Sequence, residues 1–418
     1  MRVSRVVDSI PPSGIRRFFD IVSQMEDVVS LGVGEPDFVT PFRIREAAIY
    51  SLERGYTQYT SNWGLLELRQ EVARLLARRY GVEYRPESEI LITVGVSEGL
   101  DLALRAILNP GDEVLIPEPC YVSYSPCALF AGGVPVPIAS DAGTGFRVRI
   151  EALEAAVTPR TRAILINFPN NPTGATLRRA DLERLAALAQ RRDLIVISDE
   201  IYADLTYDGE HVSMASLPGM RDRTILLNGF SKAFAMTGWR IAYAAGPPDL
   251  VAAMTKIHQY TMLCASIVAQ KAALEACRNG EPEMEKMVRQ YDERRRFFVK
   301  GLNDLGLECQ VPEGAFYVFP SIRSTGLSSE EFAESLLMEQ RVAVVPGTAF
   351  GASGEGHVRC SYAYSIDSIR EALRRIERFV AGRRNQVDRG TEGQRDGERA
   401  DERAGPERKH AAAVPARV

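Results

Sequence analysis

Short apolar runs recur through the middle of the chain without alternating with polar residues: 90–94, 114–116, 163–168, 194–198, 224–227 and 241–245. A strand with one wet face alternates; an unbroken apolar run suits a strand covered on both faces. Amphipathic helical patterns lie between these runs, at 98–107, 178–190 and 250–277. Strand and helix in alternation predict a mainly parallel sheet between helical layers, a three-layer α/β domain over residues 49–284. A long charged amphipathic stretch at 281–305 follows. The pattern then breaks into shorter pieces: 312–320, a helix near 329–340, 342–350, 357–363 and a helix near 367–380. These predict a smaller α+β domain over 285–382, completed by an N-terminal segment, residues 1–48. Residues 383–418 carry many charges of both signs and no aromatic residue. Such a segment buries too little apolar surface to offset its ordering entropy, and it is expected to be a disordered tail.

Composition narrows the classes. A chain of 418 residues, 45% hydrophobic and 25% charged, has room for two or three domains. A net charge of −4 favours neither nucleic acid nor an anionic membrane as partner. The 6 cysteines are scattered and form no CxxC, which argues against a disulfide framework or a zinc ribbon. The 4 histidines share no ligand spacing, so no metal is expected. The sequence shows neither a signal peptide nor an apolar run long enough to span a membrane, and a cytoplasmic location is expected. The basic residues are nearly all arginine. Lysine occurs only at Lys232, Lys256, Lys271, Lys286, Lys300 and Lys409. Base composition accounts for that bias, but it makes a lysine in a special context easy to notice.

Lys232 has such a context. It lies in LLNGFSKAFAMTGWR, five residues past a predicted core strand, with Arg240 eight positions on. Ligands of open α/β sheets bind outside the carboxyl ends of the strands. A lysine there can form a Schiff base, and an arginine fork suits phosphate. Most lysines after strands are nonetheless solvated surface. Asp199 closes a buried run in ISDEIY, with Tyr202 three residues on. A buried carboxylate needs a partner: a helix N-terminus, an ion pair, or a protonated pyridine nitrogen. Asn171 sits in NFPNNPTG, which demands a fixed turn and either aims an amide at a ligand or only turns the chain. The turn Gly95-Val96-Ser97 feeds a helix and can present free N–H groups to an anion, or can simply be tight. It lacks the GxGxxG spacing of a dinucleotide site.

Together, the order glycine turn, Asn turn, Asp-x-x-Tyr, Lys and Arg resembles the fold-type I pyridoxal-phosphate enzymes, and specifically the class I aminotransferases of the aspartate and aromatic branch. The resemblance covers residues 5–382 and rests on SLGVGEPDF, YTSNWGLLELR, NPGDEVLIPEPCYVSY, NFPNNPTGA, SDEIY, NGFSKAFAMTGWR and GEGHVRCSYA. It implies an aminotransferase with pyridoxal 5'-phosphate as cofactor and a two-half-reaction cycle between an amino acid and a 2-oxo acid. Lys232 matches the lysine that holds the cofactor covalently and moves the substrate proton. Asp199 matches the partner of the pyridine nitrogen, and Tyr202 and Asn171 match donors to the ring's phenolic oxygen. Tyr121 matches the aromatic residue stacked on the ring. Arg240 with Gly95, Val96 and Ser97 matches the phosphate cradle. Arg359 matches the grip on the substrate α-carboxylate, and Gly34 a backbone position facing substrate. Tyr59 matches a residue reaching the phosphate of a neighbouring subunit, which implies a homodimer with shared active sites.

One departure stands out. Many relatives have a serine three residues before the lysine; here that position is Gly229, and Ser231 directly precedes Lys232. The role of Ser231 as a phosphate ligand is therefore open. Rival readings are a carbon–sulfur lyase or related enzyme on the same fold, a nicotinamide oxidoreductase, and a non-catalytic regulator. The missing GxGxxG and the missing DNA-binding module weigh against the last two. Glutamate with 2-oxoglutarate is the expected couple, paired with an aromatic or acidic amino acid. Phe18, Phe19, Trp63, Tyr260 and Phe350 are candidates for an apolar side-chain wall, or plain core.

Overall fold

The computed structural model describes residues 3–11 and 25–383. The predicted tail from 384 onward, and Phe18 and Phe19, lie outside the described residues. Twelve strands are numbered in chain order: β1 (Val29–Ser30), β2 (Ile90–Thr93), β3 (Glu113–Glu118), β4 (Val134–Ala139), β5 (Thr161–Asn167), β6 (Ile195–Asp199), β7 (Thr224–Gly229), β8 (Ala242–Ala245), β9 (Tyr317–Val318), β10 (Val342–Ala343), β11 (Val345–Pro346) and β12 (Val358–Ser361).

The large sheet has seven strands in the order β2-β8-β7-β6-β5-β3-β4. Its pairings are parallel except at β8, which runs antiparallel to both β2 and β7. The non-alternating runs have their expected cause. In β5, Ile164 and Ile166 pack on one face with Leu182 and Leu185 of the helix Arg179–Arg191. Ala163 and Leu165 face the other way, toward Leu100 and Leu104 of the helix Gly95–Ile107. Each fully buried Leu or Ile contributes about 1.5–3 kcal/mol, so the two faces together fix the layer order.

The reversed strand matters for the site. In register, Ala242 at the start of β8 lies opposite Thr93 at the end of β2 and Gly229 at the end of β7. The residues entering β8 therefore sit at the same sheet edge as the residues leaving its neighbours. Arg240 reaches that edge only because β8 is antiparallel.

Two readings of the sequence need correction. Strand β4 was not foreseen, because its Pro135 and Pro137 argue against a strand. It is an edge strand, paired only with β3, where a missing N–H is tolerated. The helix expected at 250–277 is two helices, Pro248–Thr261 and Ile267–Asn279. Apolar spacing carries through the break, but tertiary bonds override it. Met262 and Leu263 N–H both turn back to His258 O, Leu263 has φ +69°, and Asn62 Nδ2 donates to Leu263 O at 3.0 Å.

The second part of the molecule holds a three-stranded antiparallel sheet, β11-β12-β9, and a parallel pair of β1 with β10. The N-terminal segment thus pairs with a strand from late in the chain. The helix Ser329–Gln340 opens with a capping box between Ser328 and Glu331. A final helix covers 366–383. The helices Phe42–Glu53 and Glu281–Asp304 run continuously across residues 48 and 284. Among the described residues no helix is long and apolar enough to cross a membrane, and no group of three or more His, Cys, Asp or Glu could hold a metal ion.

Candidate active site

A cavity of about 530 Å³ opens at the carboxyl edge of the large sheet. Five chain segments at this sheet edge supply part of its walls: the turn after β2, the loop after β3, the Asn turn after β5, the end of β6, and the loop between β7 and β8; residues 32–35, Tyr317 and Arg359 supply the rest. Lys232, Asp199, Asn171, Tyr202, Tyr121, Arg240 and Arg359 all line it, as do Gly34, Val96, Ser97 and Ser231. Gly95 adjoins them.

Asp199 ends β6 and is 4% exposed. Its hydrogen-bond partners are neutral: Tyr124 Oη donates to Oδ2 at 2.7 Å and Ile201 N–H to Oδ1 at 3.2 Å. Burial outweighs them and raises its pKa to about 6. Lys232 lies across the cavity, its Nζ donating to Gly34 O at 2.6 Å. Burial and the nearby cations Arg359 and Arg240 lower its pKa to about 8. The cavity thus holds an amine that gives up its proton more readily than an ordinary lysine and a carboxyl that keeps its proton longer than an ordinary aspartate.

The Asn turn is built from its own side chains. Asn167 Oδ1 accepts from Asn171 N–H at 3.0 Å, and Asn170 Oδ1 accepts from Thr173 N–H and Oγ1. That fixes Asn171, whose Oδ1 accepts from Arg359 Nη1 at 2.9 Å. Arg359, on β12, also donates from Nη2 to Gly32 O at 2.6 Å. Its guanidinium lies 4.4 Å from the Tyr317 ring centroid and 4.8 Å from that of Phe350. Its Nε is buried and has no partner among the described residues. Tyr202 Oη and Tyr317 Oη share a hydrogen bond of 2.8 Å.

Glycine is required at two places. Gly95 has φ +78°, and a Cβ there would collide with Arg240 Nη2. The backbone of this turn therefore lies directly against the Arg240 guanidinium. At Gly229 a Cβ would lie 2.6 Å from the Cβ of Ala242 on β8. A serine has no room at this position, which explains the departure seen in the sequence. Ser231, two residues later, is on the cavity wall instead.

The structure separates other expectations. Tyr59 is 83% exposed and outside the cavity. None of Trp63, Tyr260 and Phe350 lines the cavity, a correction to the wall read from sequence. Tyr260 is 84% exposed, Phe350 is core beneath Arg359, and Trp63 packs beside Arg69. The apolar wall is instead Val33, Val96, Leu100, Val122 and Ile201. The sequence reading also missed Tyr124 and Tyr317. Tyr124 was signalled only by its place three residues after Tyr121, and Tyr317 only by the aromatic run GAFYVFP.

Residues 26–376 match the family model described as aminotransferase class I and II. The chain is 55% identical over 378 residues to a putative aminotransferase, YugH, of Bacillus subtilis (strain 168), covering 90% of this chain and 98% of that one. It is 46% identical over 383 residues to an aspartate aminotransferase of Pyrococcus abyssi, covering 91% and 98%. Among solved structures, an aromatic aminotransferase from Pyrococcus horikoshii OT3 superposes with a TM-score of 0.84 at 46% identity, covering 88% of this chain and 99% of that one.

Proposed function

The chain belongs to the class I and II aminotransferase family, and we propose that the cavity beneath Arg359 is where it binds pyridoxal 5'-phosphate and an L-amino acid. The enzyme moves an amino group from an amino acid to a 2-oxo acid. The observation that carries the site assignment is that Lys232, Asp199, Arg240 and Arg359 line one cavity, where burial shifts Lys232 down and Asp199 up.

The residues fit the cofactor on three counts. Asp199 is a buried carboxyl with only neutral hydrogen-bond partners, so it suits a ring N–H⁺. The Gly95 turn and Arg240 converge as a phosphate would require. Arg359, held by Asn171 and Gly32 through its Nη atoms, has a buried Nε with no partner among the described residues, suited to a carboxylate. When bound, pyridoxal phosphate supplies an aldehyde carbon for covalent attachment and a ring that accepts electron density from the substrate Cα. Lys232 provides the amine for attachment and, once free, takes the proton from Cα. Asp199 would hold a proton on the ring nitrogen. Tyr202 and the Nδ2 amide of Asn171 would supply donors for the cofactor's phenolic oxygen, and Tyr121 would supply an aromatic face for its ring. Val96, Ser97 and Ser231 join Gly95 and Arg240 at the phosphate. Arg359 would hold the α-carboxylate in the same cavity as the Lys232 amine.

The 2-oxo acid acceptor in this reading is 2-oxoglutarate, and the donor is an aspartate-like or aromatic amino acid, as the names of the relatives suggest. Half-reactions test it. Purified enzyme given an amino acid and no 2-oxo acid should change its visible spectrum and release one 2-oxo acid per site. Rates across a panel of amino acids then rank the donors. Release of pyruvate and a thiol without any acceptor would make the enzyme a lyase instead.

The homodimer is also part of this reading. Phe42, Tyr50, Tyr59, Leu66 and Tyr260 are exposed aromatic or aliphatic groups that burial against a second copy would cover. Sedimentation should give a dimer. Tyr59→Phe should weaken cofactor binding about 10- to 150-fold, the worth of one hydrogen bond to a charged group, with sedimentation unchanged. An active monomer would contradict it.

A further inference from the structure

The helix Gly95–Ile107 begins without an ordinary cap. Its N-cap residue is Val94, whose side chain cannot accept a hydrogen bond. The first amides of a helix have no intrahelical acceptor, so those of Gly95, Val96 and Ser97 face outward as donors. Four residues into this stretch stands an anion, Glu98. Its Oε2 accepts from Val94 N–H at 2.6 Å. Its Oε1 lies 2.6 Å from His258 Nδ1.

A carboxylate only accepts, so His258 Nδ1 carries the hydrogen. His258 is 0% exposed, and its Nε2 is buried without a partner among the described residues. Among the described residues, that bond is the only polar contact of the imidazole ring. A buried apolar residue at 258 would pack without leaving a polar atom unpaired. The single bond it makes is to Glu98.

Electrostatics gives that bond a purpose. The positive end of a helix attracts any nearby carboxylate, and Glu98 follows directly on the turn Gly95–Ser97 whose amides a phosphate would use, in the first turn of the same helix. Untethered, Glu98 would cap its own helix and repel a second anion. We propose that His258 is a positioning residue: it holds the Glu98 carboxylate on Val94 N–H and off the Gly95–Ser97 amides, keeping the anion cradle open. This rests on the reading of residues 95–97 as the phosphate turn.

The test compares pyridoxal phosphate with phosphate-free pyridoxal. Full-length enzyme is loaded with each, and dissociation constants are measured by dilution alongside melting temperatures. Wild type should prefer the phosphate form strongly. His258→Leu fills the buried volume but removes the donor, and should cut that preference about 10-fold, the scale of one charge-assisted bond lost and a competing anion gained. His258→Asn places an amide N–H near Nδ1 and should keep the preference within about 3-fold of wild type. Adding Glu98→Gln to His258→Leu removes the competing charge and should restore most of the preference. If His258→Leu weakens both ligands equally, or only lowers the melting temperature, the residue is structural and the inference is overturned. Failure of the double variant to recover overturns it also, and this outcome stands when His258→Leu alone is poorly folded. A wild type without preference for the phosphate form would instead remove the phosphate-turn reading itself.

Discussion

Lys232→Ala should lower turnover at least about 10⁴-fold and abolish the visible absorbance of the loaded enzyme, while leaving the fold intact. The size follows from two losses. The variant has no amine to hold the cofactor covalently and no base beside the substrate Cα. The second loss is set by protonation. With a pKa of about 8, roughly one Lys232 in ten is neutral at pH 7; an ordinary lysine near 10.4 would be neutral only about 0.04% of the time. Covalent attachment of added cofactor to wild type should therefore speed up as pH rises toward about 8 and level off above it, rather than climbing toward 10. Lys232→Arg should be as inactive as the alanine variant, because a guanidinium does not deprotonate. Small primary amines in solution should recover part of the alanine variant's activity. Unaltered turnover in Lys232→Ala would remove Lys232 from the chemistry altogether.

Much of this cavity was legible because its parts sit in loops with fixed local chemistry. The Asn turn needs Asn167 and Asn170 as acceptors, so its sequence is nearly its structure. Asp199 stands at the last position of an apolar run, and Lys232 follows another. What was not legible depends on pairing across long separations. Nothing local says that β8 runs backwards, yet that reversal brings Arg240 to Gly95. Tyr317 reaches Tyr202 from a segment more than a hundred residues away. Phe350 looked like a substrate contact, but it serves under the guanidinium of Arg359. The helix break at 262–266 is likewise written in Asn62, far up the chain, and not in the apolar period that runs through it.

Asp199→Asn should split stability from activity. The carboxyl has a pKa of about 6 in the folded, cofactor-free protein against an ordinary 3.8. A raised carboxyl pKa means the folded state holds its proton more tightly than the unfolded state does. Its contribution to stability is thus fully present below about pH 4 and is lost as pH rises through about 6. At pH 7 the ionised, buried form costs about 2–3 kcal/mol. Asparagine carries no such charge. Its Oδ1 can still accept from Ile201 N–H, and its Nδ2 can donate to Tyr124 Oη. The cofactor-free variant should therefore melt higher than wild type at pH 7 and no higher at pH 4. Turnover should move the other way, falling at least about 10²-fold, because an amide cannot hold the ring nitrogen protonated as electron density arrives. Wild type should recover its stability on loading with cofactor, and the variant should gain less. Melting curves of both proteins, loaded and unloaded, from pH 4 to pH 8 decide the matter. A variant less stable than wild type at pH 7 without cofactor would mean that Asp199 is already paired within the chain and does not await a cation. A variant both more stable and slow would mark it as a site where the fold tolerates a buried charge for the sake of the reaction.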